Sequence, residues 1–352
     1  MKRIITFGEA ILEGIDQSMK ADKDIILFGL GVDDPKAIFG TTKGLKERHG
    51  RDRVFDVPTS ENALTGIGIG SAINGNRSIM VHQRLDFFLL AMDQVVNAAA
   101  KWYFMFGEQQ SVPITIRLIM GRGWGQGPTH SQNLQAWFAH IPGLKVAMPA
   151  SASDAKGMII SSIKDNNPVI FLEHRWLHNI KGEVSKDFKS IPLGKANIVE
   201  QGKDLTIVAM SYMVIEAIHA AKFLNKIGIS CEILDLRTVA PIDYSLVFAS
   251  IKKTKRVLVL DTGVMSGSIS GEILSRIVNK FWNKLLIKPE RMAMPDFPEA
   301  TSFSLTKDYH IKALDIVDKV LDMMQIENNF NKKELESKYP HDVPGDWFTG
   351  PF

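Results

Sequence analysis

A single cysteine, Cys231, stands in a chain of 352 residues. That excludes a disulfide framework and a cysteine-built zinc site, and it suits a reducing compartment. Long hydrophobic runs are missing too. No window approaches the roughly 18 consecutive apolar residues of a membrane span, and Met1-Lys2-Arg3-Ile4-Ile5 does not open a sustained apolar signal segment. A cytoplasmic location with no membrane partner is therefore expected. Neither sign of charge dominates, with 42 Lys plus Arg against 39 Asp plus Glu, so there is no basic field for nucleic acid. A P-loop, a nucleophile elbow and a metal-ligand spacing of His, Asp and Glu are also absent.

What is present is an alternation of strands and helices. With 45% hydrophobic and 23% charged residues, the chain has the composition of a globular protein long enough for two domains. Apolar positions at helical spacing (Ile5, Ala10, Ile11, Ile15, Met19) predict a helix from Ile5 to Lys20, followed by a buried strand from Asp24 to Gly29. Further strands are expected at Ser78 to Gln83, Pro113 to Leu118, Leu144 to Pro149 and Pro168 to Glu173. Helices are expected from Asp86 to Phe106, apolar almost all round, and from Ser153 to Asp165. The charged segment Asn179 to Lys189 reads as a linker. Beyond it the alternation restarts, with strands at Leu205 to Met210, Ile229 to Leu236 and Arg256 to Asp261. Helices are expected at Tyr212 to Lys226, Asp243 to Lys252, Ser268 to Trp282 and His310 to Met324. Such alternation argues for α/β domains with mainly parallel sheets covered on both faces. The tail after Asn328 has turn formers and little periodicity, so an extended or disordered arm is expected.

The stretch Arg53 to Ala72 holds the densest signal. It reads as a strand ending near Pro58, an N-cap at Ser60, and a helix carrying Glu61 in its first turn. A first-turn glutamate is ordinary, because the helix dipole favours its charge. The run Gly66-Ile67-Gly68-Ile69-Gly70 is not a dinucleotide fingerprint, since its third glycine is misplaced and it lies within the helix. Each glycine weakens the helix by about 1 kcal/mol against alanine. Close approach of another element would offset that, either at a subunit interface or within the domain. His130 closes the glycine-rich loop Gly121 to His130, where an imidazole serves as acid, base or oxyanion donor, or simply as a surface or capping residue.

Several short patterns occur in one order: Arg53-Val54, Asp56, Pro58 and Ser60-Glu61; Asp86-Phe87 and Asp93-Gln94; His130-Ser131-Gln132; Pro142-Gly143-Leu144-Lys145-Val146 with Pro149; Asp154-Ala155-Lys156-Gly157; Asp165-Asn166-Asn167-Pro168-Val169 with Glu173. Asp235-Leu236-Arg237-Thr238, Pro241 and Asp243 extend the series. Over residues 4 to 325 it resembles the beta subunits of thiamine-diphosphate-dependent 2-oxo acid dehydrogenase E1 components, of the pyruvate and branched-chain type. The resemblance implies an α/β fold of two domains with mainly parallel sheets. These are a pyrimidine-binding transketolase-like domain (1–178), a linker (179–192) and a smaller transketolase C-terminal domain (193–327), with an extended tail (328–352).

It also implies roles. Glu61 matches the glutamate that hydrogen-bonds the aminopyrimidine of thiamine diphosphate, which lets that ring deprotonate the thiazolium carbon. Phe87 and Gln83 match positions lining the pyrimidine, and His130 matches a histidine assisting acyl transfer to lipoamide. Main-chain carbonyls of Ile114, Ser162, Ile163, Asp165 and Asn167 match a potassium site of some relatives. The family's Gly-Asp-Gly magnesium and diphosphate motif is missing from this chain. A separate alpha subunit would supply it, in an α2β2 heterotetramer that presents its product to the lipoyl domain of an E2 acyltransferase.

Departures from the family pattern bear on the substrate. Val81 stands where an acid is usual, and His82 and Arg84 where apolar or small residues are. Leu118-Ile119-Met120 precede Gly121 in place of Gly-Pro or Ser-Pro, the loop carries Arg122 and Trp124, and Thr262 replaces an acid beside Asp261. An altered acyl pocket or lipoyl entry is expected. Two other readings accompany the dehydrogenase: a transketolase-like or decarboxylase-type carbon-carbon ligase subunit, and a non-catalytic scaffold for an alpha subunit.

Overall fold

The computed structural model describes residues 2–34, 36–122, 126–338 and 343–350. Trp124 and Pro340 lie outside them. The chain divides into two compact units, one of residues 1–121 and 137–193, the other of 122–136 and 194–352.

In the first unit, β1 (Lys2–Thr6) leads directly into a helix, Phe7–Ala21. The expected helix thus begins two residues late, because Thr6 is its N-cap. Thr6 Oγ1 accepts from Glu9 N at 3.1 Å and Glu9 Oε2 accepts from Thr6 N at 2.8 Å, a reciprocal capping box. Phe7, Ala10, Ile11, Ile15 and Met19 form its buried stripe. The sheet strands are β2 (Ile26–Gly29), β3 (Val54–Asp56), β4 (Ser78–His82), β5 (Ile114–Met120), β6 (Lys145–Ala147) and β7 (Val169–His174). They stand in the order β6-β7-β5-β4-β2-β3, every pair parallel. Strands β4, β5 and β7 are buried throughout, as strands covered on both faces must be.

Within the expected linker, Lys181–Ser185 is a strand, β8, which pairs antiparallel with β1. Its alternation was hidden by Lys and Glu on the solvent side. The expected Asp86–Phe106 helix is a composite: an α-helix Leu85–Phe88, a 3-10 turn Leu89–Ala91, a π-helical stretch Gln94–Ala99 and an α-helix Ala100–Met105. Some of its apolar side chains stay outside the unit, with Leu90 68% and Phe104 84% exposed.

The glycine-rich helix is Glu61–Ile73. A Cβ on Gly68 would come within 2.8 Å of Phe28 Cζ, so this glycine is required by packing on its own sheet. The intradomain alternative accounts for Gly68 without any partner subunit. Ser60 sits at the N-cap but its side chain makes no capping bond, contrary to expectation.

The second unit holds β9 (Asn197–Glu200), β10 (Leu205–Ala209), β11 (Cys231–Asp235), β12 (Thr238–Ala240), β13 (Val257–Val264) and β14 (Glu290–Met294). Its sheet runs β14-β13-β10-β11-β9, with only β9 antiparallel. Cys231 is buried, and burial with the Asp204 charge pushes its thiol up to about 12, so it is inert. No helix among the described residues is long and apolar enough to cross a membrane.

The tail, expected as an extended or disordered arm, is packed where it is described. Leu335, Val343 and Phe348 are buried, and Trp347 stacks on His219 with ring centroids 3.8 Å apart. Trp347 Nε1 donates to Glu216 Oε1 at 2.9 Å, while Ala313 N donates to Glu216 Oε2 at 2.8 Å. Burial pushes the Glu216 carboxyl up to about 7 against those donors and Tyr212. Between the ordinary carboxylate range and about 7, the folded chain keeps a proton that the unfolded chain has released. Stability is therefore greatest below that range and falls as pH rises to about 7, by on the order of 3 kcal/mol. Melting curves from pH 5 to 7.5 are expected to show this decline in the wild type and a flatter one in Glu216→Gln. Parallel declines would assign the titration to another group.

Candidate active site

The neighbouring strands β3, β2 and β4 end side by side, with Asp56, Gly29 and Val81 in register. In open parallel sheets this carboxyl edge is where ligands bind. Asp56 Oδ1 accepts from Gly31 N at 2.8 Å, tying the loop after β2 to the end of β3. Gly31 has φ +79°, and a Cβ there would lie 2.0 Å from Gln83 Nε2, so its lack of a side chain makes room for that amide. Gln83 follows β4 by one residue and is exposed, and Phe87, four residues on, is 42% exposed.

Glu61 opens the helix after β3 and is 7% exposed. Its carboxylate accepts no hydrogen bond from any described residue, although buried carboxylates ordinarily find donors. The helix N-terminus supplies a favourable dipole. Glu61 thus follows β3, and Gln83 and Phe87 follow β4, the two strands that flank β2 in the sheet. That donor set fits an aromatic heterocycle with a ring nitrogen to engage the carboxyl.

His130 lies in the segment 122–136 of the second unit, partly buried, with Nδ1 3.0 Å from Thr129 Oγ1. In the same unit Gln135 Nε2 donates to Asp261 Oδ1 at 2.6 Å and to Thr262 Oγ1 at 3.2 Å. Burial raises the Asp261 carboxyl, opposed by backbone donors from Gly263 and Ser270 and by Gln135.

Two of the five carbonyls matched to a potassium site have a different observed partner. Arg77 Nη1 donates to Ile163 O at 2.7 Å and to Asp165 O at 2.6 Å, and its Nη2 to Asn166 Oδ1 at 2.7 Å. Ser162 O accepts from Asp165 N, Ile114 opens β5, and Asn167 follows the helix Ala152–Lys164. No group of three or more His, Cys, Asp or Glu among the described residues is arranged to hold a metal ion.

Sequence reasoning missed a buried ionic cluster. Arg117 Nε donates to Glu173 Oε1 at 2.6 Å, and its Nη2 donates to Glu173 Oε2 at 3.0 Å and to Thr41 Oγ1 at 2.9 Å. His178 Nε2 is 3.2 Å from Glu173 Oε2. Burial would raise Glu173, but the Arg117 charge and the hydrogen bonds from His178 and Arg117 hold it below its usual range. An arginine inside the apolar strand Ile114–Met120 was the available signal, since such a charge needs a partner. His82 is buried against Phe88, with neither ring nitrogen bonded, and burial takes it down to about 4. It is neutral at physiological pH.

The family model "Transketolase, pyrimidine binding domain" matches residues 4–180, and "Transketolase, C-terminal domain" matches 194–316. Among curated proteins, the acetoin:2,6-dichlorophenolindophenol oxidoreductase subunit beta of Cupriavidus necator is 40% identical over 88% of this chain and 94% of its own length. The chain belongs to the transketolase-like E1 beta subunit family. Other members include the mitochondrial pyruvate dehydrogenase E1 component subunit beta-1 of Oryza sativa, 39% identical over 84% of this chain and 80% of that protein. The corresponding Bos taurus subunit is 40% identical over 78% and 77%. A split-gene transketolase, solved as an inactive beta4 tetramer, superposes with TM-score 0.73 at 20% identity, covering 92% of this chain and 99% of that one. It shares the fold. The two-domain α/β fold with mainly parallel sheets and the E1 beta kinship expected from the ordered motifs are thereby established.

Proposed function

We propose that this chain is the beta subunit of a thiamine-diphosphate-dependent E1 component which, with an alpha subunit, decarboxylates a 2-oxo acid in the cytoplasm and passes the acyl unit to the lipoyl domain of an E2 acyltransferase. The observation carrying this is the buried, unbonded Glu61 carboxyl at a helix start, at the strand edge that also bears Gln83 and the exposed Phe87 ring. When bound, thiamine diphosphate supplies a carbon nucleophile and a sink for the electrons of the broken C–C bond. Glu61 would hold and move the proton at the cofactor's pyrimidine nitrogen, Phe87 would pack on that ring, Gln83 would line it, and His130 would assist the acyl-transfer step.

The chain has no Gly-Asp-Gly, so the diphosphate and magnesium fall to the alpha subunit. Exposed Phe87, Leu90 and Phe104 support that interface, since a cluster of large apolar side chains on one helical run suits burial against a partner. Potassium at Ile114, Ser162, Ile163, Asp165 and Asn167 would share two of those carbonyls with Arg77. A second reading takes acetoin as the substrate, and the Cupriavidus relative named for acetoin favours it.

Calorimetric titration of thiamine diphosphate with magnesium tests the shared site. Binding is expected to the complex co-expressed with a Gly-Asp-Gly-bearing alpha chain, and not to this chain alone. Equal binding by the isolated chain would contradict it.

A further inference from the structure

The carboxyl edge of the first unit holds a second cluster that the thiamine reading does not use. Four neighbouring strands contribute to it. Arg84 follows β4 by two residues, Gly121 follows β5 directly, Arg175 follows β7 directly, and Phe39 lies in the loop after β2. The strands are adjacent in the order β7-β5-β4-β2, with His82 opposite Leu118 and Met120 opposite His174. Their ends therefore converge.

Arg84 is 5% exposed, and its one hydrogen bond runs from Nη1 to Gly121 O at 3.0 Å. Arg175 lies over the Phe39 ring, with Cζ 4.0 Å from the centroid, and its Nη1 is buried without a partner. Neither guanidinium has a carboxylate within ion-pair distance among the described residues. Glu173, two residues before Arg175, is taken by Arg117 and His178. Asp86 is close enough to favour the charge on Arg84, while Arg84 and Arg175 each work against the same low-dielectric surroundings, and Arg84 depresses Arg175. Two guanidiniums and one acid leave the cluster with a net positive charge.

Burying arginine with so few acceptors is costly, and such an arrangement persists where something else supplies the acceptors. Planar guanidiniums match carboxylate and phosphoryl oxygens, each offering paired donors. Phe39 fixes the plane of Arg175. It is held in turn by the left-handed run Ala37, Ile38 and Phe39, with φ of 46°, 47° and 56°. That backbone is unfavourable for side chains of this kind and marks a loop held in place by its surroundings.

We propose that Arg84 and Arg175, braced by Gly121 and Phe39, form an anion slot for a second acidic group, carboxylate or phosphoryl, of the substrate. This deepens the 2-oxo acid reading and rests on it for the identity of the ligand as substrate. It gives Arg84, a departure from the family pattern, a specific purpose. The slot selects a 2-oxo acid with an extra anion over pyruvate and over neutral acetoin.

The slot is tested by titrating the full chain with 2-oxoglutarate, inorganic phosphate and pyruvate, without thiamine diphosphate, so that failure of the thiamine reading leaves this result intact. 2-Oxoglutarate or phosphate is expected to bind at least about tenfold more tightly than pyruvate, and Arg175→Gln to weaken that binding about tenfold or more. Arg175→Lys should restore part of it. Preference for 2-oxoglutarate assigns the slot to carboxylates, and preference for phosphate to phosphoryl groups. Arg84→Gln serves as the second variant, and an unchanged circular dichroism spectrum shows that each variant is folded. Equal binding of pyruvate and 2-oxoglutarate, no binding of either dianion, or unaltered binding by folded Arg175→Gln would overturn the proposal.

Discussion

Glu61→Gln in the assembled complex is expected to lower cofactor-dependent turnover on the order of 100- to 10,000-fold, the range for loss of a positioned proton-transfer group. Glutamine keeps the shape and a hydrogen-bonding oxygen but neither gives nor takes the proton at the pyrimidine nitrogen. Thiamine diphosphate binding should weaken far less than turnover, because the diphosphate anchor lies outside this chain. The helix should also survive, since the Glu61 side chain makes no hydrogen bond to a described residue that the substitution would remove. Single-turnover kinetics with separate cofactor titration distinguish the two effects. A fall in binding with an unchanged rate of the bound complex would make Glu61 a binding residue only.

The second large effect concerns stability. Arg117→Met removes the main partner of Glu173, and both residues are fully buried. Breaking one side of a buried ion pair costs about 3–5 kcal/mol, because the surviving charge remains desolvated. His178 offsets little of this, as burial lowers its affinity for a proton. The double variant Arg117→Met, Glu173→Met is expected to recover most of the loss, since apolar replacements of similar volume are often neutral. Urea unfolding of the three variants and the wild type completes the cycle. A single variant within 1 kcal/mol of wild type, on the order of a surface change, would show that water reaches Glu173. Glu173 also adds an acid-sensitive contribution. With a folded pKa below its unfolded one, its stabilisation is present above the usual carboxylate range and is lost as pH falls through the lowered value.

The parallel core was legible because β2, β4, β5 and β7 are short apolar runs between helices of clear 3.6 periodicity. Strands β1, β8, β9 and β14 were not, because residues such as Lys181, Glu183, Asn197 and Glu290 face water and leave too few apolar positions to alternate. The packing of the tail was not legible for another reason. Trp347 is held by Glu216 and His219, more than a hundred residues away, and no local pattern carries that information. The composite helix over 85–105 was hidden by being apolar on every side, since a helix without a polar face does not reveal its period.

At the site, Glu61, Gln83 and Phe87 were named from ordered motifs, and the parallel sheet brings the strands before them side by side. Their chemistry was legible only through that resemblance, since a first-turn glutamate is ordinary. Arg77 on the carbonyls of Ile163 and Asp165, and Arg84 beside Arg175, are tertiary encounters across some 90 residues. Residue spacing does not encode them.

The central claim is most directly tested by following 2-oxo acid oxidation with an artificial electron acceptor in the complex of this chain with its alpha subunit, with and without thiamine diphosphate and magnesium. Turnover that requires both, and that is lost with Glu61→Gln, is the predicted result. A stable complex that binds thiamine diphosphate yet releases no carbon dioxide from any 2-oxo acid would contradict it.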